Sequence, residues 1–264
     1  MKMTVIITII VAVSTIGGVL AYFMFSQPGP AQSSGFAYIC VGYSPGPLLA
    51  VQLAESGQYQ SSITYQGQTL CVGARLNAQQ MQYLHNLTAA SPQVGSSKAK
   101  VVVLEYLDPT CPYCALFDVD YGDIMSQYIA NGTVLYAARF LPTHLLGYEE
   151  QGSYPPFAAG VDTWLGLTCI YNRSGGEEFY RALNMIYRIA ISYLETGNST
   201  AMYIYPLAQF EYIRSQYPQC AINATTSQLL ALIQNASSAT AAEARRLGIP
   251  DYLLSTPLFI VYRN

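Results

Sequence analysis

The sequence predicts an α/β fold built around one strand-to-helix turn, and three observations predict it. The apolar run 101–107 reads as a strand buried on both faces, and a helix-patterned stretch, 111–130, follows it at once. A second strand, 133–140, comes after the Asn131-Gly132 break, which makes a βαβ unit whose crossover should be right-handed and parallel. From 156 to about 248 the period is helical, and a further strand is expected at 258–262. Apolar residues make up 52% and charged residues 10%, with a net charge of −3. That balance fits a globular chain and offers no basic excess for a nucleic-acid partner.

Taken in order, residues 4–25 are nearly continuously apolar, about 33 Å as a helix and enough to cross a bilayer. Lys2 is the only charge before them and Glu55 the next after, so the positive-inside rule leaves the N-terminus in the cytoplasm and the bulk outside. We read 1–26 as a single-pass transmembrane anchor. The alternative is a signal peptide removed near Gly29-Pro30-Ala31, and both readings export residue 32 onward. A Ser/Pro/Gly/Gln-rich linker spans 27–35. An N-terminal extension, 36–97, then reads as a strand at 36–41, a short helix at 47–54, a hairpin at 62–72 turning at Gln66-Gly67, and a helix at 78–87.

The main domain covers 98–264, with 100–107 as its central strand. Pro142 ends the strand 133–140, and His144 falls in the loop that follows, where an imidazole is ordinarily solvated or capping. Helices are expected at 157–171, at 177–194 with acids at its start, at 200–217 with a kink at Pro206, and at 227–247 stopped by Gly248. The stripes Leu183, Ile186, Tyr187, Ala190 and Leu229, Leu232, Ile233 are core faces of amphipathic helices.

Chemistry concentrates at Cys111-Pro112-Tyr113-Cys114. A thiol exchanges disulfides as the thiolate, and a helix N-terminus supplies unpaired N–H groups and partial positive charge that stabilise one. Pro112 fits just inside the helix, which leaves Cys111 exposed at the cap and Cys114, one turn on, facing inward as the resolving thiol. Half of a zinc site is the competing reading, but there is no second CxxC and His85 and His144 are the only histidines, so neither a metal nor another cofactor is expected. The remaining cysteines, Cys40, Cys71, Cys169 and Cys220, allow three pairings. Cys40–Cys71 and Cys169–Cys220 are preferred because each joins parts of one subregion.

Six of the nine asparagines open an N-x-Ser/Thr sequon: Asn86, Asn131, Asn172, Asn198, Asn223 and Asn235. Glycosylation outside the membrane explains them, and the cysteines fit an oxidising compartment. Such sequon density with so few lysines points to an archaeal cell surface.

The stretch from Val103-Leu104-Glu105-Tyr106 to Cys111-Pro112-Tyr113-Cys114, taken with Thr256-Pro257-Leu258-Phe259, resembles the thioredoxin superfamily and most closely its DsbA-like branch. The resemblance implies a thioredoxin-like fold with a helical insertion, here about 143–225. It implies that Thr256-Pro257 is a cis peptide facing the dithiol, with the residue before the proline pairing with client backbone. Thr256, Pro257, Pro112 and Tyr113 would then meet the client, and Glu105 would be the buried acid that relays a proton for Cys114. The family pattern continues past the last strand with a further antiparallel strand and a closing helix, which are missing after Asn264. Residues 258–262 would then be an apolar edge strand, covered either by the 36–97 extension or by another copy of the chain through strand addition, giving a homo-oligomer.

The expected function is therefore a membrane-anchored extracytoplasmic thiol–disulfide oxidoreductase acting on cysteine-containing exported clients. By resemblance, an oxidising version would be recharged by a quinone-linked membrane oxidase. With Pro-Tyr between the cysteines and no histidine to stabilise the Cys111 thiolate, a weaker oxidant than the family's strongest is expected. The alternative is a cell-surface structural or filament-forming protein with a non-catalytic Cys111–Cys114 disulfide; a thiol peroxidase is disfavoured because no Thr-x-x-Cys loop is evident.

Overall fold

The computed structural model describes residues 33–264 except Asn223. The apolar segment 4–25 and most of the linker lie outside the described residues, and among those described no helix is long and apolar enough to cross a membrane.

Residues 33–264 form one compact unit around a seven-stranded sheet of order β2-β3-β1-β7-β5-β6-β4. The strands are β1 (Ser33–Val41), β2 (Ser62–Tyr65), β3 (Gln68–Asn77), β4 (Gln93–Gly95), β5 (Val101–Leu107), β6 (Val134–Phe140) and β7 (Leu258–Arg263). Only β5 and β6 pair in parallel; β7 lies antiparallel between β5 and β1. All seven residues of β5 are buried, because helices cover both faces of the sheet. Alternate side chains divide between two cores: Val101, Val103 and Leu107 on the face that carries the dithiol, Val102, Leu104 and Tyr106 on the other.

The helices are α1 (Gly46–Ser56), α2 (Ala78–Ala89), α3 (Pro112–Ala130), α4 (Thr143–Glu150), α5 (Tyr154–Ser174), α6 (Gly176–Leu194), α7 (Ala201–Gln216) and α8 (Thr226–Leu247). Local chemistry explains most of their ends. Asn77 with Gln80 and Thr225 with Gln228 form capping boxes on α2 and α8, and Gly248 ends α8 in the left-handed conformation. The tight β2–β3 turn puts both Gln66 and Gly67 at positive φ, 49° and 78°.

Two expectations are corrected and one left open is decided. His144, read in a loop, lies in α4, whose first N–H groups are capped from a distance by Asp108: the amides of His144 and Leu145 donate to Asp108 Oδ2 at 2.9 and 3.0 Å. Ser33–Gly35, read as the end of the linker, belong to β1. The third concerns the cover of β7, for which the 36–97 extension and a second copy were both open: the extension supplies it. Ala37 to Val41 of β1 pair antiparallel with Tyr262 to Leu258, and the Gly42 amide donates to the Pro257 carbonyl at 2.8 Å. β1 and α1, from the front of the chain, flank and cover β7. Strand addition of a second copy at β7 thus has no open edge to use.

Candidate active site

The site is assembled where the loop after β5 meets the loop before β7. Asp108, fully buried, accepts from the Thr110 amide at 2.9 Å and the Thr110 hydroxyl at 2.8 Å as well as from the start of α4. From below, Gln209 of α7 donates to the Pro109 carbonyl at 2.9 Å, and the Tyr205 hydroxyl donates to the Thr110 carbonyl. This clamp fixes the loop so that Cys111 becomes the N-cap of α3 and Pro112 its first residue, where a missing N–H costs nothing.

Cys111 is only 5% exposed, less open than the sequence implied, because the Thr256-Pro257 loop lies against it. That peptide bond is cis, and the Cys111 thiol donates to the Thr256 carbonyl at 3.3 Å. The Thr256 hydroxyl meets that of Thr143 at 2.6 Å, which ties the loop to α4. Cys114 is fully buried, whereas Tyr113 is 59% exposed beside the dithiol. Tyr252, four residues before Thr256, is 64% exposed.

Electrostatics separate the two thiols. A hydrogen bond from Cys114 holds the Cys111 pKa below that of an ordinary thiol, against the opposing effect of burial. Burial, followed by the hydrogen bond and charge of Cys111, pushes Cys114 well up. Cys111 is thus the more readily ionised of the two thiols. His144 is half-buried against Tyr148, and burial lowers its pKa despite the pull of Asp108.

Glu105 lies beneath the dithiol, 4% exposed, and accepts from the Tyr136 hydroxyl at 2.6 Å. Burial pushes its pKa up to about 8, with the Asp118 and Cys111 charges adding and the Tyr136 bond opposing. Sequence reading missed Asp108, Asp118, Thr143 and Gln209. The signal for Asp118 was present, since it follows Cys114 by four residues and so shares its helix face. Thr143 and Gln209 act across long sequence distances and left no local sign, and Asp108 joins its local bonds to Thr110 with a cap on α4 36 residues away.

The other four cysteines form two disulfides. Cys40 is joined to Cys71, its direct neighbour across β1 and β3. Cys169 of α5 is joined to Cys220 in the 3-10 turn after α7. Asn86, Asn131, Asn172, Asn198 and Asn235 are all exposed, and Asn223 lies outside the described residues. Among the described residues no group of three or more His, Cys, Asp or Glu side chains could hold a metal ion.

With this geometry in place, the thioredoxin family matches the chain over residues 88–157, from the end of α2 to the start of α5. That stretch is thioredoxin-like. No curated protein matches the chain. Among solved structures the chain is similar to alpha-DsbA1 from Wolbachia pipientis at 20% identity, with 64% of this chain and 74% of that one covered and a TM-score of 0.44. It is also similar to oxidised BdbD from Bacillus subtilis at 14% identity, 66% and 82% coverage and a TM-score of 0.40. A third, DsbA2 from Pseudomonas aeruginosa, gives 18% identity, 65% and 79% coverage and a TM-score of 0.36.

Proposed function

We propose that the protein is a thiol–disulfide oxidoreductase that exchanges disulfides with exported proteins outside the cytoplasmic membrane. One observation carries the reading: the activated Cys111 thiol sits at a helix N-cap against the carbonyl of Thr256, with a second, fully buried thiol one turn behind it. Cys111 attacks a client disulfide, or as part of a disulfide is attacked by a client cysteine. Cys114 then displaces the mixed disulfide. Thr256, before the cis proline, offers backbone to an extended client segment, and Pro112 and Tyr113 form the adjoining surface.

Export and anchoring rest on the sequence: residues 4–25 as the anchor, and the sequons as sites of glycosylation. The five described sequon asparagines are exposed, as a glycan requires. A cell-surface setting and a quinone-linked oxidase as recycling partner belong to the same reading. The test is client turnover, which Cys111→Ser is expected to abolish and Cys114→Ser to arrest as a client adduct; wild-type turnover by either variant sinks the assignment. The near-burial of Cys111 favours one competitor, a structural protein with a permanent Cys111–Cys114 disulfide. Selective reduction of that disulfide in the folded protein separates the two.

A further inference from the structure

Cys111 reacts as a thiolate, and a residue only 5% exposed has little water to stabilise that charge. Donors from the protein have to do so instead. The side-chain hydrogen bonds that lower the Cys111 pKa come from Cys114 and from Thr256. Cys114 lies one turn along the same helix, whereas Thr256 arrives from the loop before β7.

Thr256 meets Cys111 in two ways. Its carbonyl accepts from the Cys111 thiol at 3.3 Å, a bond that exists only while the thiol keeps its proton. Its hydroxyl is a donor to the ionised sulfur, and a hydrogen bond made to a charge is among the stronger ones. A hydroxyl has a single proton to give. Thr256 Oγ1 lies 2.6 Å from Thr143 Oγ1, so the direction of that bond decides where the Thr256 proton points. If Thr256 donates to Thr143, nothing is left for Cys111; if Thr143 donates, the Thr256 proton is free.

The backbone around Thr143 is held firmly. Thr143 is the first residue of α4, and the two amides that follow it, those of His144 and Leu145, donate to Asp108 Oδ2. Asp108 Oδ1 accepts from the amide and hydroxyl of Thr110, immediately before Cys111. One carboxylate thus fixes both ends of the line Thr143–Thr256–Cys111. Thr143 itself stands outside the dithiol motif and 113 residues from Thr256.

We propose that Thr143 is a positioning residue for disulfide exchange: its hydroxyl donates to Thr256 Oγ1, which leaves the Thr256 proton to be donated to the Cys111 thiolate. This rests on the exchange reading. On ionisation the Cys111 S–H bond breaks, its proton goes to solvent and the bond to the Thr256 carbonyl is lost; the Thr256 hydroxyl takes over. No electrons move in this step. The other titratable groups that face Cys111 are Cys114 on α3, Glu105 on β5, Asp108 in the loop after β5, Tyr187 on α6 and Tyr205 on α7. His144 on α4 acts on Asp108 in turn. Asp108 opposes the ionisation of Cys111 and Cys114 favours it.

The test is the pH dependence of Cys111 alkylation by iodoacetamide in the reduced full chain, read by peptide mass. Thr143→Val removes the hydroxyl and keeps a branched side chain. Its midpoint is expected about one pH unit above that of the wild type, and Thr143→Ser is expected to restore it. Thr256→Val removes the donor itself, and adding Thr143→Val to it is expected to move the midpoint no further. At a pH above both midpoints, the Thr143→Val disulfide is expected to resist reduction by glutathione about tenfold more than wild type, a potential about 30 mV more negative. An unchanged midpoint overturns the proposal. So does a shift that serine fails to restore, or one that persists in the Thr256→Val background, since it then comes from packing. Should Thr143→Val not fold, Thr143→Ala carries the same expectations. A wild-type pair that does not exchange with glutathione overturns the exchange reading, and the alkylation midpoints still decide what Thr143 does to Cys111.

Discussion

At the scale of residues, the site separates two thiols by burial and hydrogen bonding, and the consequence is selective reactivity. Reduced protein treated with an alkylating agent below pH 7 is expected to lose Cys111 first, read by peptide mass, with Cys114 untouched until denaturation; equal labelling contradicts the separation. Glu105 makes stability depend on pH. Its pKa of about 8 in the fold stands well above an ordinary carboxyl, so between roughly pH 4 and 8 the folded chain holds a proton that the unfolded chain has released. Stability from this group is full below that window and is lost as pH rises through it. Glu105→Gln, which keeps an acceptor for Tyr136, is expected to raise stability at pH 8.5 by on the order of 4 kcal/mol while changing little at pH 4.5. Urea midpoints at the two pH values check it, and an equal shift at both contradicts it. The dithiol and Glu105 were legible because a short motif and one strand carry them. The low exposure of Cys111 was not, because the loop that covers it arrives 145 residues later.

At the scale of elements, the active-site turn is held by Asp108, which organises its own loop and the start of α4 at once. Asp108→Ala leaves buried donors on Thr110, His144 and Leu145 without an acceptor and is expected to cost about 3 kcal/mol, visible as a fall in Tm. An unchanged Tm would mean that water replaces the carboxylate. α4 escaped the sequence because its cap comes from a residue 36 positions earlier, and Pro142 before it reads as a breaker. β4 escaped because it has three residues and is defined by pairing with β6 rather than by any period of its own. The longer helices α5 to α8 were legible because their apolar stripes and end signals are local.

At the scale of the molecule, the front of the chain completes the sheet. The pairing of Ala37 with Tyr262 places Asn264 near Gly35, so a short turn could join the last strand to β1. A rearranged chain that starts after residue 57 and carries 33–57 behind Asn264 through such a turn is expected to fold with a Tm close to the parent. Deleting 33–56 outright is expected to prevent folding, since it strips β7 and β3 of their shared neighbour β1. A stable deletion, judged by cooperative melting, contradicts that role. The sequence left this cover and a second copy as alternatives, and no local pattern decides between them. Residues 36–41 and 258–262 each read as strands, but which strands pair is decided by how the whole sheet buries its two faces.

The central claim is that Cys111–Cys114 is a working redox pair, and its reduction potential tests that most directly. A soluble chain from about residue 32, equilibrated in glutathione buffers and trapped by alkylation, is expected to interconvert selectively at Cys111–Cys114, with a potential between about −120 and −270 mV. Cys40–Cys71 and Cys169–Cys220 should stay oxidised throughout. A folded protein whose Cys111–Cys114 pair does not equilibrate would contradict the account and leave a structural disulfide in its place.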